Sequence, residues 1–192
     1  MTVSISTLPE NFRIVSDTSG RDAKGSSSAD LFAKISLSGK EITTSSVKDF
    51  EKWAVIHGLK MNVWRHESGD VSNTAMNSSA FLGMEDIEFA LPCSDVDITA
   101  LETPAQGKVV DITFMKTANI QGHNVKIQEF EFLKAQIVGN FFFIQTGQIP
   151  SITIRFKSKK IKVTRFSYDE ATGAAKGQKA YEIDFVTNTS KA

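Results

Sequence analysis

The sequence predicts a mainly-β domain, folded as a closed barrel or a tight sandwich, with one short helix at its flank. Three observations carry this. Apolar residues recur at every second position in several stretches, Phe is used 14 times against four Pro, and the inward phase of the longest stretches flips partway along. Period two is the mark of a half-buried strand, and a Phe-rich, Pro-poor composition suits pleated surfaces. A phase flip signals a bulge or bend where a strand passes from one side of a barrel to the other, and repeated bends favour closure over an open sheet.

The elements follow in order. Residues 1–28 stand apart, because DTSGRDAKGSSSAD has the small, polar composition of a linker, so the folded domain is expected from 29 to 192. Leu31, Ala33, Ile35 and Leu37 share one face of a first strand. SVKDFEKWAVIHG has both helical and strand periodicity. The strand pattern (Trp53, Val55, His57, Leu59, Met61, Val63) covers more residues, so a strand from Trp53 is expected after at most a helical turn. WRHESGDVSNTAMNSS, 64–79, has no period and is a long polar loop; loops of that length usually have a function of their own. Strands over 84–90 (Ile87, Phe89 inward) and 108–116 (Val110, Ile112, Phe114 inward) flank SDVDITALETPAQG, where Ser94 or Asp95 could cap a short helix. Strands over 123–133 and 135–145 turn inward first at Phe130 and Phe132, then at Leu133, Ala135 and Ile137, and the run FFFI reads as buried on both faces. Ile152, Ile154 and Phe156 shift phase to Ile161 and Val163, and 169–179 is a hairpin loop into a closing strand, 181–186.

A chain of 192 residues buries roughly 70% of its extended surface and needs no metal or disulfide staple. Lys and Arg balance Asp and Glu at 22 each, which disfavours a whole-molecule nucleic-acid binder. The single Cys93 forms no internal disulfide, mildly favouring a reducing compartment. MTVSISTLPENFRIV lacks the basic and apolar regions of a Sec signal peptide, and no run reaches the length of a membrane span. The expected place of folding is the cytoplasm, without membrane insertion.

No catalytic, cofactor or metal site is expected. His57, His66 and His123 lack metal-ligand spacing; His57 reads as a core or interface residue and His66 as a solvated one. Cys93 precedes the presumed helix, whose dipole could lower its pKa, but it has no histidine arranged with it. P-loop, G-x-S-x-G and G-x-G-x-x-G motifs are all missing. The strongest charge signal is RFKSKKIKVTR, which places Arg155, Lys157, Lys159, Lys160, Lys162 and Arg165 in one run without an acid. It reads as a solvated strand face or a subunit interface, with a phosphate-tracking groove as the weaker alternative.

The order of these segments resembles the Hcp (haemolysin-coregulated) family, the tube proteins of type VI secretion systems. DLFAKI is similar to that family's opening strand, EKWAVIHGL to its second, and WRHESGDVSNTAMNSS falls at its extended loop. MEDIEFALPCSDVDITALETPAQGK resembles its strand-to-helix passage, IQEFEFLKAQIVGNF its long central strand, and YDEATGAAKGQKAYEIDFVTN its closing hairpin. The loop here has one glycine, Gly69, where the family is Gly-rich, and residues 1–28 have no counterpart. The resemblance implies a barrel of two packed antiparallel sheets with a flanking helix, and subunits forming six-membered rings that stack into a hollow tube. A contractile sheath ejects such a tube, and spike, baseplate and small effector cargo are its partners. It implies an inter-ring role for Arg65, His66, Glu67, Asp70, Asn73, Met76 and Asn77, and a lumen or interface role for the basic run. Tail tubes of phage-like injection particles are the near alternative. A monomeric β-barrel binding nucleic acid or another anion is the alternative of a different class.

Overall fold

A computed structural model describes residues 31–45, 50–66, 81–97, 109–120, 123–169, 172–187 and 189–191, with 64–66, 81–82, 123 and 190–191 described by backbone only. The extension 1–28 therefore lies outside the described residues. The strands are β1 (Leu31–Leu37), β2 (Lys40–Glu41), β3 (Ala54–Val55), β4 (Gly58–Lys60), β5 (Val63–His66), β6 (Phe81–Met84), β7 (Ile87–Pro92), β8 (Val109–Ile120), β9 (His123–Phe143), β10 (Ser151–Lys157), β11 (Lys160–Tyr168), β12 (Ala175–Asp184) and β13 (Thr189–Lys191).

Eleven strands form one antiparallel sheet and β5–β6 form a separate two-stranded ribbon. The expected closed barrel of two sheets is not what forms, because the sheet is open. The ladder breaks between β3, which pairs with β1, and β4, which pairs with β7. At the break the Ile56 N–H donates to Leu31 O (3.1 Å) and the His57 N–H to Ala90 O (2.9 Å), so adjacent residues serve different neighbours.

The flanking helix is not seen either. Among the described residues that segment holds one 3-10 turn, Cys93–Asp95, whose preceding residue, Pro92, makes no side-chain cap. The Ser94 hydroxyl donates to the Asp95 carboxylate instead (2.8 Å). Val96 then bridges Thr43 in extended geometry, and residues 98–108 lie outside the described residues.

β9 is the spine. β8 lies along one side of it, while β10 and β11 share the other. Lys157 faces Gln136 and Lys162 faces Glu131, equal steps on both strands, so β10 and β11 are one strand interrupted at Ser158 and Lys159. That interruption is the anticipated phase change between Phe156 and Ile161. The flip in β9 is a bulge: Val110 pairs with Ala135 and Ile112 with Phe132, leaving Leu133 and Lys134 opposite Asp111. Lys134 takes φ 54°, and its N–H donates to the Asp111 carboxylate at 2.8 Å. The odd phase therefore begins at Ala135, and Leu133 faces solvent. A second bulge at Val138, against β10, returns the strand to its first phase.

The core follows from this phasing. Phe89, Phe114, Phe132 and Phe156 are fully buried. Edge-on contacts of 4.9 Å (Phe89–Phe114) and 5.2 Å (Phe132–Phe156) tie β7, β8, β9 and β10 together. Such pairs add about 0.5–1.5 kcal/mol beyond area burial. Phe32 is buried on β1 too, stacked on Phe50 at 4.6 Å.

The segment from Trp53 buries Ala54 and Ile56, the opposite phase from the one expected, and His57 is exposed. The closing hairpin is longer than expected, since β12 starts at Ala175 and its first residues are exposed on both faces.

Candidate assembly surfaces

The β5–β6 ribbon flanks the loop singled out in the sequence. Arg65 and His66 belong to strand β5, not to a loop, opposite Leu82 and Phe81 of β6. Antiparallel pairing runs from Val63 with Met84 to His66 with Phe81. Residues 67–80, with Glu67, Asp70, Asn73, Met76 and Asn77 among them, lie outside the described residues.

The basic run is placed by β10 and β11, and register decides its chemistry. Arg155 lies opposite Glu88, Lys160 opposite Asp184, and Lys162 between Glu131 and Glu182. The ion pairs follow: Arg155–Glu88 at 2.5 Å, Lys157–Asp86 at 3.6 Å, Lys160–Asp184 at 2.8 Å and Lys162–Glu131 at 2.6 Å. Lys159 sits exposed at the interruption, and Arg165 lies between Gln128 and Lys179. Hydrogen bonding to Asp184 raises the pKa of Lys160, and hydrogen bonding to Glu131 raises that of Lys162. The Lys160 ammonium, with the Thr187 and Val186 N–H groups, holds the Asp184 carboxyl down at about 2. Four of the six cations in the run, Arg155, Lys157, Lys160 and Lys162, are thus paired with acids on other strands. Such pairs contribute little to stability individually, and they offset much of the positive field a phosphate backbone would need.

Sequence reading missed a third surface. The run FFFI, expected to be buried, ends β9 in the open, and Phe141, Phe142, Phe143, Ile144 and Ile149 are all exposed around the β9–β10 turn. Strand alternation gave the warning: a run apolar at every position cannot place both faces on one core. Phe141 lies on the outer face under the Arg155 guanidinium, 5.1 Å from ring centre to Cζ. Nearby, the Cys93 N–H donates to Pro150 O (2.9 Å). Burial pushes the Cys93 thiol up, the reverse of what a helix start would do. Among the described residues no group of three or more His, Cys, Asp or Glu could hold a metal ion, and no helix is long and apolar enough to cross a membrane.

No family model and no curated protein matches this sequence. Solved structures do match in shape. A structure described as a type six secretion system protein superposes with TM-score 0.70 at 17% identity, covering 84% of this chain and 99% of that one. Hcp1 from Salmonella typhimurium gives 0.61 at 10% identity, covering 84% and 99%. A type VI secretion system effector from Yersinia pestis gives 0.55 at 15%, covering 81% and 99%. Nearly the whole length of each of these proteins is accounted for, at identities too low to speak for more than architecture. The chain described here has the fold of the Hcp proteins of type VI secretion systems.

Proposed function

We propose that this protein is a structural tube subunit of a type VI secretion apparatus, made in the cytoplasm and exported through that machine. The shared fold over the full length of known Hcp proteins is the observation that carries the reading. Copies join side by side into rings of six, and rings stack through the segment at 67–80 into a hollow tube that a contractile sheath drives outward with its spike. No bond is made or broken. The protein's contribution is stiffness, uniform width and a lumen for small cargo.

Two features support self-association. The outer side of β12 is paired by β13 only at Glu182–Asp184 among the described residues, leaving Ala175–Tyr181 as an edge. An exposed edge is a template for a strand of another chain. A contact between that edge and a different patch on the neighbour is heterologous, and closes into a ring when its rotation divides a full turn. The neutralised basic strand fits a wall between copies better than a nucleic-acid groove.

Negative-stain microscopy of the purified full chain is expected to show uniform rings and short stacks. Shortening 67–80 should leave the rings and abolish the stacks. Stacks that persist unchanged would remove that segment from the account.

A further inference from the structure

We propose that the β9–β10 end, built from Phe141, Phe142, Phe143, Ile144 and Ile149, is the apolar centre of a contact with a second copy of this chain. The inference rests on the tube-subunit reading and names the surface that does the joining.

The exposures are 51% for Phe141, 51% for Phe142, 48% for Phe143, 76% for Ile144 and 57% for Ile149. Phe142 lies on the inner face of β9 and Phe141 on the outer, so the apolar residues wrap the end of the sheet. With aromatic side chains presenting 150–250 Å² each, they expose together about 500 Å² over its two faces. Apolar exposure gathered in this way at one end of a sheet is often functional. A standard interface takes about 800 Å² from each partner. The patch therefore supplies its centre, and Gln145, Thr146 and Gln148 of the same turn supply a polar rim.

The surface is also held in place. A side chain at Gly139 would put its Cβ 3.3 Å from the Phe141 ring, so the glycine lets the ring lie against the strand. Arg155 covers that ring and is fixed in turn by Glu88. Ordering costs on binding fall when the contact group is already fixed.

Charge identifies the occupant. From Ala135 to Ile154 there is no Asp, Glu, Lys, Arg or His, and Arg155 beside Phe141 is paired with Glu88, so the patch offers little with which to select a charged partner. A second copy needs no such selection, because the chain carries formal net charge zero and like copies meet without net repulsion. A membrane surface usually calls for basic residues beside the apolar ones, and the turn has none.

The test compares full-length wild type, Phe142→Ser/Phe143→Ser and Phe142→Leu/Phe143→Leu by mass photometry across a dilution series, with urea unfolding of each. The Ser pair should raise the concentration at which multimers dissociate by at least about tenfold, the Leu pair should stay close to wild type, and the unfolding midpoint of the monomer should hold. Multimers of the Ser pair as stable as wild type would overturn this contact and leave the tube reading standing. A Ser pair whose unfolding midpoint falls as a core substitution's does would also overturn it, since the residues would then pack within one chain. Flotation of wild type with neutral lipid vesicles, lost in the Ser pair, would make lipid the occupant and overturn it. A wild type that never multimerises would remove the tube reading and this contact together.

Discussion

Phe132 and Phe142 sit on one strand and face the same side of it, yet one is fully buried and the other half exposed. Phe132 meets Phe114 and Phe156 across β8 and β10. Phe142 pairs with Ile152, which is itself buried, but β8 reaches only to Gln136, so among the described residues this end of β9 is paired on one side alone. Residue type is constant in this comparison and position relative to the partner strands varies, so position decides. The middle of β9 holds the domain together, and its end stands exposed.

The comparison breaks first at its buried half. Phe132→Ala should cost about 3–5 kcal/mol, read as a lower urea midpoint. An unchanged midpoint would mean the four-Phe cluster is not the core. Next is the bulge that separates the two regions. Asp111→Ala removes the acceptor of the Lys134 N–H and should cost about 1 kcal/mol. A neutral result would show that the bulge holds without its side-chain tie.

A smaller effect tests the outer ladder. The Asp184 carboxyl has its pKa lowered from 3.8 to about 2 in the folded chain. A depressed folded value means that its contribution is fully present above the unfolded pKa and is lost as pH falls through the folded one. Stability should therefore decline between pH 3.8 and 2, and Asp184→Asn should flatten that limb. An identical acid limb in the variant would show that Asp184 is not the group responsible. Smallest of all, Phe142→Ser should move the unfolding of the dilute monomer by no more than about 0.5 kcal/mol, in contrast with its neighbour on the same strand.

Much of the fold was legible because period-two patterning reports a half-buried strand directly. β1, β7, β8, β9, β10 and β11 lie where Ile35, Phe89, Ile112, Phe132, Ile154 and Val163 pointed, and both anticipated phase changes correspond to real breaks, at Lys134 and at Ser158–Lys159. The segment from Trp53 misled because five of its odd positions are apolar, while burial goes to the smaller Ala54 and to Ile56, which face β1 and the core. The capping residues suggested a helix after Cys93, but the Ser94 hydroxyl is spent on Asp95, and Val96 joins Thr43 in a bridge no local pattern encodes.

The basic run shows the same limit. Its cations were visible at once, whereas their neutralisation depends on β7, β9 and β12 lying alongside, a matter of register between distant segments. Glu129, Glu131, Glu182 and Asp184, acids at alternating positions on two other strands, were the only hint. The apolar end of β9 was visible as a run and misassigned, because a run says that residues are apolar and not how far the core extends to meet them.

The central claim is that identical copies join into rings. Light scattering coupled to size exclusion, over a concentration series of the full chain, tests it most directly. The account predicts a discrete species of several chains in equilibrium with, or replacing, the 21.1 kDa monomer. A mass of one chain at every concentration would contradict it.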